Sequence, residues 1–452
     1  MKQTDQSYQE ILNLVHELQK EVFELRKENA ELKARIHELE HPKNSNNSSI
    51  PPSKDENRPK KNQSLRKKSG KKSGGQKGHK GHTLDMISNP DKVVNYFPAI
   101  CEECGKDLST FESKLTEKRQ LIELPQIRPI CIEHQVHCKR CSCGHLNKSV
   151  FPADIKAPIQ YGTNVENLVA YLNIGQYLPY KRISSMLGNL FNLPLSQGSI
   201  KNMITRFAEK LLPTYENIRK EIESATIVGS DETGAKLNGD KWWFWTWQNE
   251  KATYITASDN RAFRTVEDNF HKGFEKATLV SDRYGAHLKT KANAHQICIS
   301  HLCRDVDYLI ELTKSLAIKR LKLLLNDALL LKQQLLPEQY HQPNLVRNFI
   351  RKETFKLINA DHGNEHKKVK AFFKQLSKYR NHIYEFLYNE HVPPDNNGSE
   401  RAIRNVKVKQ KVSTMFKTKQ GINNYAIIRS VFDTCIKRQI DIFDPSKLCV
   451  SF

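Results

Sequence analysis

Two short apolar runs in this sequence each end on an acid. Ala225-Thr226-Ile227-Val228-Gly229-Ser230 leads to Asp231, and Ala277-Thr278-Leu279-Val280-Ser281 leads to Asp282. Runs rich in β-branched residues read as buried strands, so each would deliver its carboxylate to a strand tip. Two carboxylates brought together repel unless a divalent cation shares them, which suggests Mg2+ or Mn2+. A pair of such cations, two per site, carries out phosphoryl transfer by activating one oxygen and stabilising another as it leaves. A third acid is needed. Glu400 is the best candidate, because turn and cap signals in Pro393-Pro394-Asp395-Asn396-Asn397-Gly398-Ser399 open a helix that carries it in its first turns. Asp395 is its rival. Taken singly, Asp231 reads equally well as a strand-end acid, Asp282 as a turn residue and Glu400 as an i,i+4 partner of Arg404; jointly the metal reading is the stronger.

The elements that must position these acids follow from the surrounding pattern. Asn238-Gly239-Asp240 is a hairpin turn leading into Trp242-Trp243-Phe244-Trp245-Thr246-Trp247, which holds every tryptophan of the chain. Ala252 to Ala257 supplies a third strand, Phe263 to Phe270 a helix, Ala277 to Asp282 a fourth strand, and Ile297-Cys298-Ile299-Ser300 a fifth. Three meandering strands, a helix, a strand, a helix and a strand is the order of a ribonuclease-H-like fold. Its first and fourth strands are neighbours, so Asp231 would lie beside Asp282. The fold class expected is a multidomain α+β or α/β chain.

These residues resemble the transposases of the insertion sequence sixty-six family, TnpC-like proteins with a DDE catalytic core. The resemblance rests on Asp231-Glu232-Thr233-Gly234, on Leu279-Val280-Ser281-Asp282 with Tyr284, on Cys298, His301 and Arg304, and on Asp395-Asn396-Asn397 followed by Glu400-Arg401-Ala402. The segment Gly74 to His82 looks like part of the same family. The resemblance implies a DNA transposase in which Asp231, Asp282 and Glu400 form the triad, with His301, Arg304, Asp395 and Arg401 as active-site neighbours. It also implies double-stranded DNA partners, both element ends and target, and small accessory proteins encoded by the same element. Two other readings stand beside it: a zinc-containing DNA-binding regulator with an inactive core, and a non-mobile ribonuclease-H-like nuclease.

The 452 residues carry a net charge of +22, with 27% of them charged. Such an excess of Lys and Arg calls for a polyanion, nucleic acid before a membrane surface. No signal-peptide pattern is present, and the leucine-rich stretch from Leu321 to Leu336 is interrupted by Asn326, Asp327 and Lys332. The expected location is therefore the bacterial cytosol, associated with the nucleoid, with no membrane partner.

Residues 1–41 keep a heptad register, with Tyr8, Val15, Val22, Asn29 and Ile36 at a and Ile11, Leu18, Leu25, Leu32 and Leu39 at d. β-Branched residues at a, leucine at d and one asparagine at a favour a parallel dimer, although an amphipathic helix packed on its own domain would show a similar stripe. Residues 42–82 read as a basic flexible linker in which Lys67, Lys68, Lys71, Lys72 and Lys77 could lie along DNA phosphates or simply be solvated.

Residues 83–158 hold most of the ten cysteines. Cys101-x-x-Cys104 and Cys138-x-x-Cys141 flank a ribbon-like alternation, the arrangement of one structural Zn2+ site. Cys143 is an alternative fourth ligand, and His134 or His137 could substitute.

Residues 159–220 read as helices at 165–174, 180–191 and 196–212, the last two resembling a helix-turn-helix that would turn Gln197, Ser199, Lys201 and Asn202 toward a groove. A plain helical hairpin fits as well. Residues 221–310 would form the first part of the core, 311–390 a helical insertion, and 391–452 the final catalytic helix and C-terminal region. Arg404, Lys407 and Lys409 on that helix are the DNA-contact candidates nearest the metals, with a solvated basic face as the alternative. His295, Cys298, His301 and Cys303 also hint at a second metal site, but the resemblance accounts for Cys298 and His301 without one.

Overall fold

The computed structural model describes residues 2–44, 47–48, 55–56, 78, 80, 84–125 and 127–443, and leaves aside the side chains of 2–13 and 34. The linker lysines Lys67, Lys68, Lys71, Lys72 and Lys77 lie outside the described residues.

The heptad pattern forms one continuous helix, α1 (Lys2–Glu40). Its seam side chains Val15, Leu18, Val22, Leu25, Leu32, Ile36 and Leu39 remain exposed along this chain. Its C-terminal end touches the body. There His37 Nε2 lies 2.8 Å from Leu312 O, and buried Glu38 meets His366, Lys367 and Lys368. After a small hairpin, β1 (Cys138–Arg140) and β2 (Leu146–Lys148), come α2 (Thr163–Ala170), which passes into a π-helical turn at Tyr171–Gly175, α3 (Tyr180–Phe191) and α4 (Gln197–Ser224). Ser196 caps α4 by accepting from Ser199 N at 3.0 Å. The sequence led to an expected end at Leu212, but α4 runs on through Pro213. An interior proline costs about 3 kcal/mol. The buried stripe Phe207, Leu211, Tyr215, Ile218 and Ile222 continues on both sides of it, and each such burial returns about 1.5–3 kcal/mol.

The central sheet contains β3 (Ile227–Leu237), β4 (Asp240–Gln248), β5 (Thr253–Ser258), β6 (Phe274–Ser281) and β7 (Ala292–Ile297) in the order β5-β4-β3-β6-β7. Asn238 and Gly239 both have positive φ, 48° and 100°, as the tight β3–β4 turn requires. β3 pairs in parallel with β6, with Gly229 opposite Val280, and β6 pairs in parallel with β7. Short helices α5 (Arg264–Asn269) and α6 (Gly285–Lys289) make the crossovers.

The fifth strand differs from expectation. It is Ala292–Ile297, and the residues after Cys298 begin α7 (Ile299–Thr313). Ile299, Leu302, Val306 and Leu309 fall at helical spacing and are all buried, so the helical period overrides the β-branched look of Ile297 to Ser300.

The long excursion that follows is helical, with α8 (Leu316–Gln334), α9 (Leu345–Ile358) and α10 (Lys367–Lys378), and it builds a second apolar core around Val306, Leu321, Leu325, Ile350 and Phe373 against Val280 and Ile297 of the sheet. The chain then returns to the sheet as α11 (Asn397–Ser413) and α12 (Lys419–Arg438). α12 seals the open edge of the sheet. Ser430 Oγ accepts from Ile255 N at 2.8 Å and Thr434 Oγ1 accepts from Thr253 N at 3.0 Å, so two β5 amides without a strand partner are satisfied by a helix. Among the described residues no helix is long and apolar enough to cross a membrane.

Ser430 is fully buried, so replacing it by alanine orphans the Ile255 amide without admitting water. Ser430→Ala should lower stability by about 1–3 kcal/mol, read as a shift in the urea midpoint of the central sheet's tryptophan fluorescence.

Candidate active site

Alternation along β3 sends successive side chains to opposite faces. Ser230 and Glu232 face α6: Ser230 Oγ lies 3.0 Å from His287 Nδ1, and Glu232 Oε2 lies 2.6 Å from His287 Nε2. Gly229 and Asp231 face the other way, toward α11. A Cβ on Gly229 would fall 2.6 Å from Ser399 Oγ and 2.5 Å from Gln248 Nε2, so only glycine lets α11 approach this closely.

Asp231 and Asp282 are electrostatic neighbours. Burial, then the charge of Glu232, then that of Asp282, raise the Asp231 carboxyl well above the ordinary range. Asp231 Oδ1 accepts from Glu232 N and Asp282 Oδ1 from Tyr284 N, each at 2.8 Å.

Glu400 is brought in by the start of α11. Asn396 Nδ2 donates to Ser230 O at 2.8 Å, Asn396 N donates to Cys298 Sγ at 3.4 Å, and Ile299 N donates to Pro394 O at 2.9 Å. These bonds fasten the α11 N-terminus to the tips of β3 and α7. Glu400 Oε1 then lies 3.7 Å from His301 Nε2. Burial foremost, with Arg304 adding to it, lowers the His301 pKa to about 4, against an opposing pull from Asp282. His301 thus sits within reach of both the Asp282 and Glu400 charges. Asp395, the rival third acid, accepts from Asn397 N at 3.0 Å in the turn just before α11.

One ligand atom from each of Cys298, His301 and Glu400 lies within 4.8 Å of the others, and the same holds for Glu232, Asp282 and His287. Buried polar atoms at this end of the sheet have no hydrogen-bond partner: His301 Nδ1, Asn396 Oδ1 and Ser399 Oγ. Unsatisfied acceptors and mutually repelling carboxylates are the features a cation or a polar substrate would relieve. Sequence reasoning assigned no role to Glu232, Arg261, His287 or Asn396. Glu232 and Asn396 had a signal, since both lie within the motifs that carry the resemblance, and Arg261 and His287 had none.

The candidate DNA contacts divide. Gln197, Lys201 and Asn202 are exposed near the start of α4, while Ser199 Oγ is held 3.0 Å from the capping Ser196 Oγ. Arg401 and Arg404 are exposed on α11, half-buried Arg304 has its Nε 3.3 Å from Ser300 O, and Lys407 Nζ donates to Gly234 O at 3.0 Å. Lys409 points inward and is 7% exposed, so it has no open face to offer DNA.

The cysteine segment forms two knuckles. Gly105 N donates to Cys101 O, and Gly144 N donates to Cys141 O, both at 2.9 Å. Amides of Cys104 and Glu103 favour the Cys101 thiolate, and the amide of Cys143 favours that of Cys141. In the second knuckle Cys143 thus lies against Cys141, and Cys138 begins β1 opposite Lys148. Among the described residues the two knuckles are not drawn into a single cluster.

A model of the Transposase IS66 family matches residues 158–424, from just before α2 into α12, which is more than half of the chain. The protein belongs to that family, and its role is that of a transposase. A family of unknown function matches residues 3–85. No curated protein matches the chain.

Burial lowers the Lys409 pKa from 10.5 to about 8. Because the folded-state value lies below the free one, the cost of charging this amine is fully present below pH 8 and fades as pH climbs through 10.5. Lys409→Met should therefore stabilise the protein at pH 7 by about 1–3 kcal/mol and lose that advantage by pH 10.5, as read from urea midpoints at the two pH values.

Proposed function

We propose that this transposase is a DDE enzyme with a ribonuclease-H-like core, cutting DNA at element ends and joining them to target DNA. The observation that carries the reading is the parallel pairing of β3 with β6, which sets Asp231 near enough to Asp282 for each charge to feel the other, with the Glu400 helix fastened to the same strand tip. The sheet order, with the first strand between the second and the fourth, supports the fold assignment.

Asp231, Asp282 and Glu400 would hold two Mg2+ or Mn2+ ions, which when bound supply an activated water or 3′-hydroxyl and stabilise the leaving oxygen. Asp231 must then release the proton that burial and its acidic neighbours help it keep. His301, neutral at physiological pH, can accept a hydrogen bond beside Glu400 without adding a competing charge. Exposed Arg401 and Arg404 on α11 are suited to grip phosphates next to the acids.

Around this core, α1 would pair two protomers as a parallel coiled coil through its exposed seam. The basic linker, a zinc ribbon and the α3–α4 hairpin would hold the double-stranded DNA ends. Small accessory proteins and a nucleoid location in the bacterial cytosol complete the reading.

Asp231→Ala, Asp282→Ala and Glu400→Ala, tested singly with Mg2+ on a DNA end, should each lose cleavage and joining by on the order of a hundredfold or more while still binding DNA. Full cleavage by any one of them would remove that residue from the triad.

The knuckle geometry favours Cys101, Cys104, Cys141 and Cys143 as the zinc ligands. Metal analysis of purified protein should find zinc retained in Cys138→Ser and lost in Cys143→Ser, because a structural site needs all four donors.

A further inference from the structure

Consecutive acids Asp231 and Glu232 both stand at the sheet tip, and Glu232 also shares a 4.8 Å group with Asp282 and His287. Glu232 could therefore be mistaken for a cation ligand. Its surroundings argue otherwise. The side chain is 2% exposed, and both oxygens are already occupied: Oε1 accepts from Arg261 Nε at 2.8 Å and also from Arg261 Nη2, and Oε2 pairs with His287 Nε2 at 2.6 Å. A carboxylate so satisfied has little left to offer a cation.

What these bonds join is more informative. The His287 ring, itself fully buried, spans Ser230 and Glu232, the two residues flanking Asp231, and so braces the pleat at that point. The Arg261 guanidinium lies 4.0 Å from the centre of the Tyr284 ring, and Tyr284 OH donates back to Arg261 O at 2.7 Å. Tyr284 N is the donor that holds Asp282 Oδ1. Glu232 is therefore the common anchor of two arms, one reaching the backbone around Asp231 and the other the turn that carries Asp282.

We propose that Glu232 is a positioning residue that sets the spacing of Asp231 and Asp282 through His287 and Arg261, and is not itself a cation ligand. The proposal rests on the reading of Asp231 and Asp282 as the ligands. It concerns how tightly the site is preorganised before a cation binds. Two repelling carboxylates would drift apart without the brace, and cation binding would then have to draw them back together.

The test is a Mg2+ titration of DNA-end cleavage for the full-length protein and its Glu232→Gln, Arg261→Gln and Asp231→Asn variants, with thermal melts to confirm folding. Glu232→Gln should need about 10–100-fold more Mg2+ for half-maximal rate, the scale of lost support behind a metal ligand, and recover most of its turnover at saturation. Arg261→Gln, at a side chain 39% exposed, should shift the midpoint in the same direction by a smaller factor. A merely structural role would lower the melting temperature and leave the Mg2+ midpoint alone.

The proposal is overturned if folded Glu232→Gln is inactive at every Mg2+ concentration, as Asp231→Asn should be, because Glu232 would then be a ligand. An unshifted midpoint overturns it too. If Glu232→Gln does not fold, an unshifted Arg261→Gln midpoint serves the same purpose. Normal cleavage by Asp231→Asn would instead defeat the underlying ligand assignment, a separate failure.

Discussion

Parallel pairing of β3 with β6 creates the electrostatic problem that the surrounding structure is arranged to contain. Gly229 and Val280 are the last opposed residues, so Asp231 and Asp282 emerge two positions later at the same level. Two like charges about 4 Å apart cost about 1 kcal/mol in water and about 4 kcal/mol at a protein surface. Burial first, then the charges of Glu232 and Asp282, hold the Asp231 carboxyl well above the ordinary range. Glu232 adds a third acid and brings its own neutralisation, since Arg261 and His287 outweigh its burial and keep it below the ordinary carboxylate range. The acid on one face of β3 is compensated from within, and the acid on the other is left to be compensated from outside.

The same register explains why the last acid can arrive from far along the chain. α7 to α10 pack around a second apolar core, anchored on the sheet through Val280 and Ile297, so the excursion is a folded body and not a long slack loop. It leaves and returns at one point, where Ile299 N meets Pro394 O and Cys298 Sγ accepts from Asn396 N. Closing a loop costs only about 0.6 kcal/mol for each doubling of its length, so inserting such a body between β7 and α11 is tolerable if the closing point is well made. The closing contacts lie directly beside Glu400, and Gly229 supplies the space for them.

Much of this architecture is legible in the sequence. Four of the five central strands announce themselves through β-branched or aromatic runs and an Asn-Gly turn, and the acids at their ends follow from position alone. β7 does not, because Ala292-Asn293-Ala294-His295-Gln296 contains no β-branched residue until Ile297, and its place is fixed by pairing with β6. Pro213 misleads because tertiary burial outweighs its local penalty. The Glu232 network is hidden for a different reason: Arg261 and His287 stand 29 and 55 residues away, in a loop and a five-residue helix with no pattern of their own. Lys409 is misjudged because Lys407, Lys409 and Lys411 look alike in a row, and only the phase of α11 sends the middle one inward. Likewise the spacing of the cysteines leaves Cys141 and Cys143 open as the fourth donor, because both stand in one short turn closed by Gly144.

Charge operates at two ranges in this molecule. A net +22 draws a polyanion from a distance and weakens with salt. The sheet tip, with Asp231, Asp282 and Glu400, would repel the same phosphates at contact. In the DDE reading the two are reconciled only when cations stand between carboxylate and phosphate, so occupancy of the acidic site and productive seating of DNA must be thermodynamically linked. In the same reading nonproductive binding carries no such requirement, because exposed Arg401, Arg404 and the basic linker would hold the backbone without the acids. A bound yet uncut DNA end would then be the state this charge distribution favours until the cation arrives. A brace that spaces the aspartates before the cation arrives would shorten the wait.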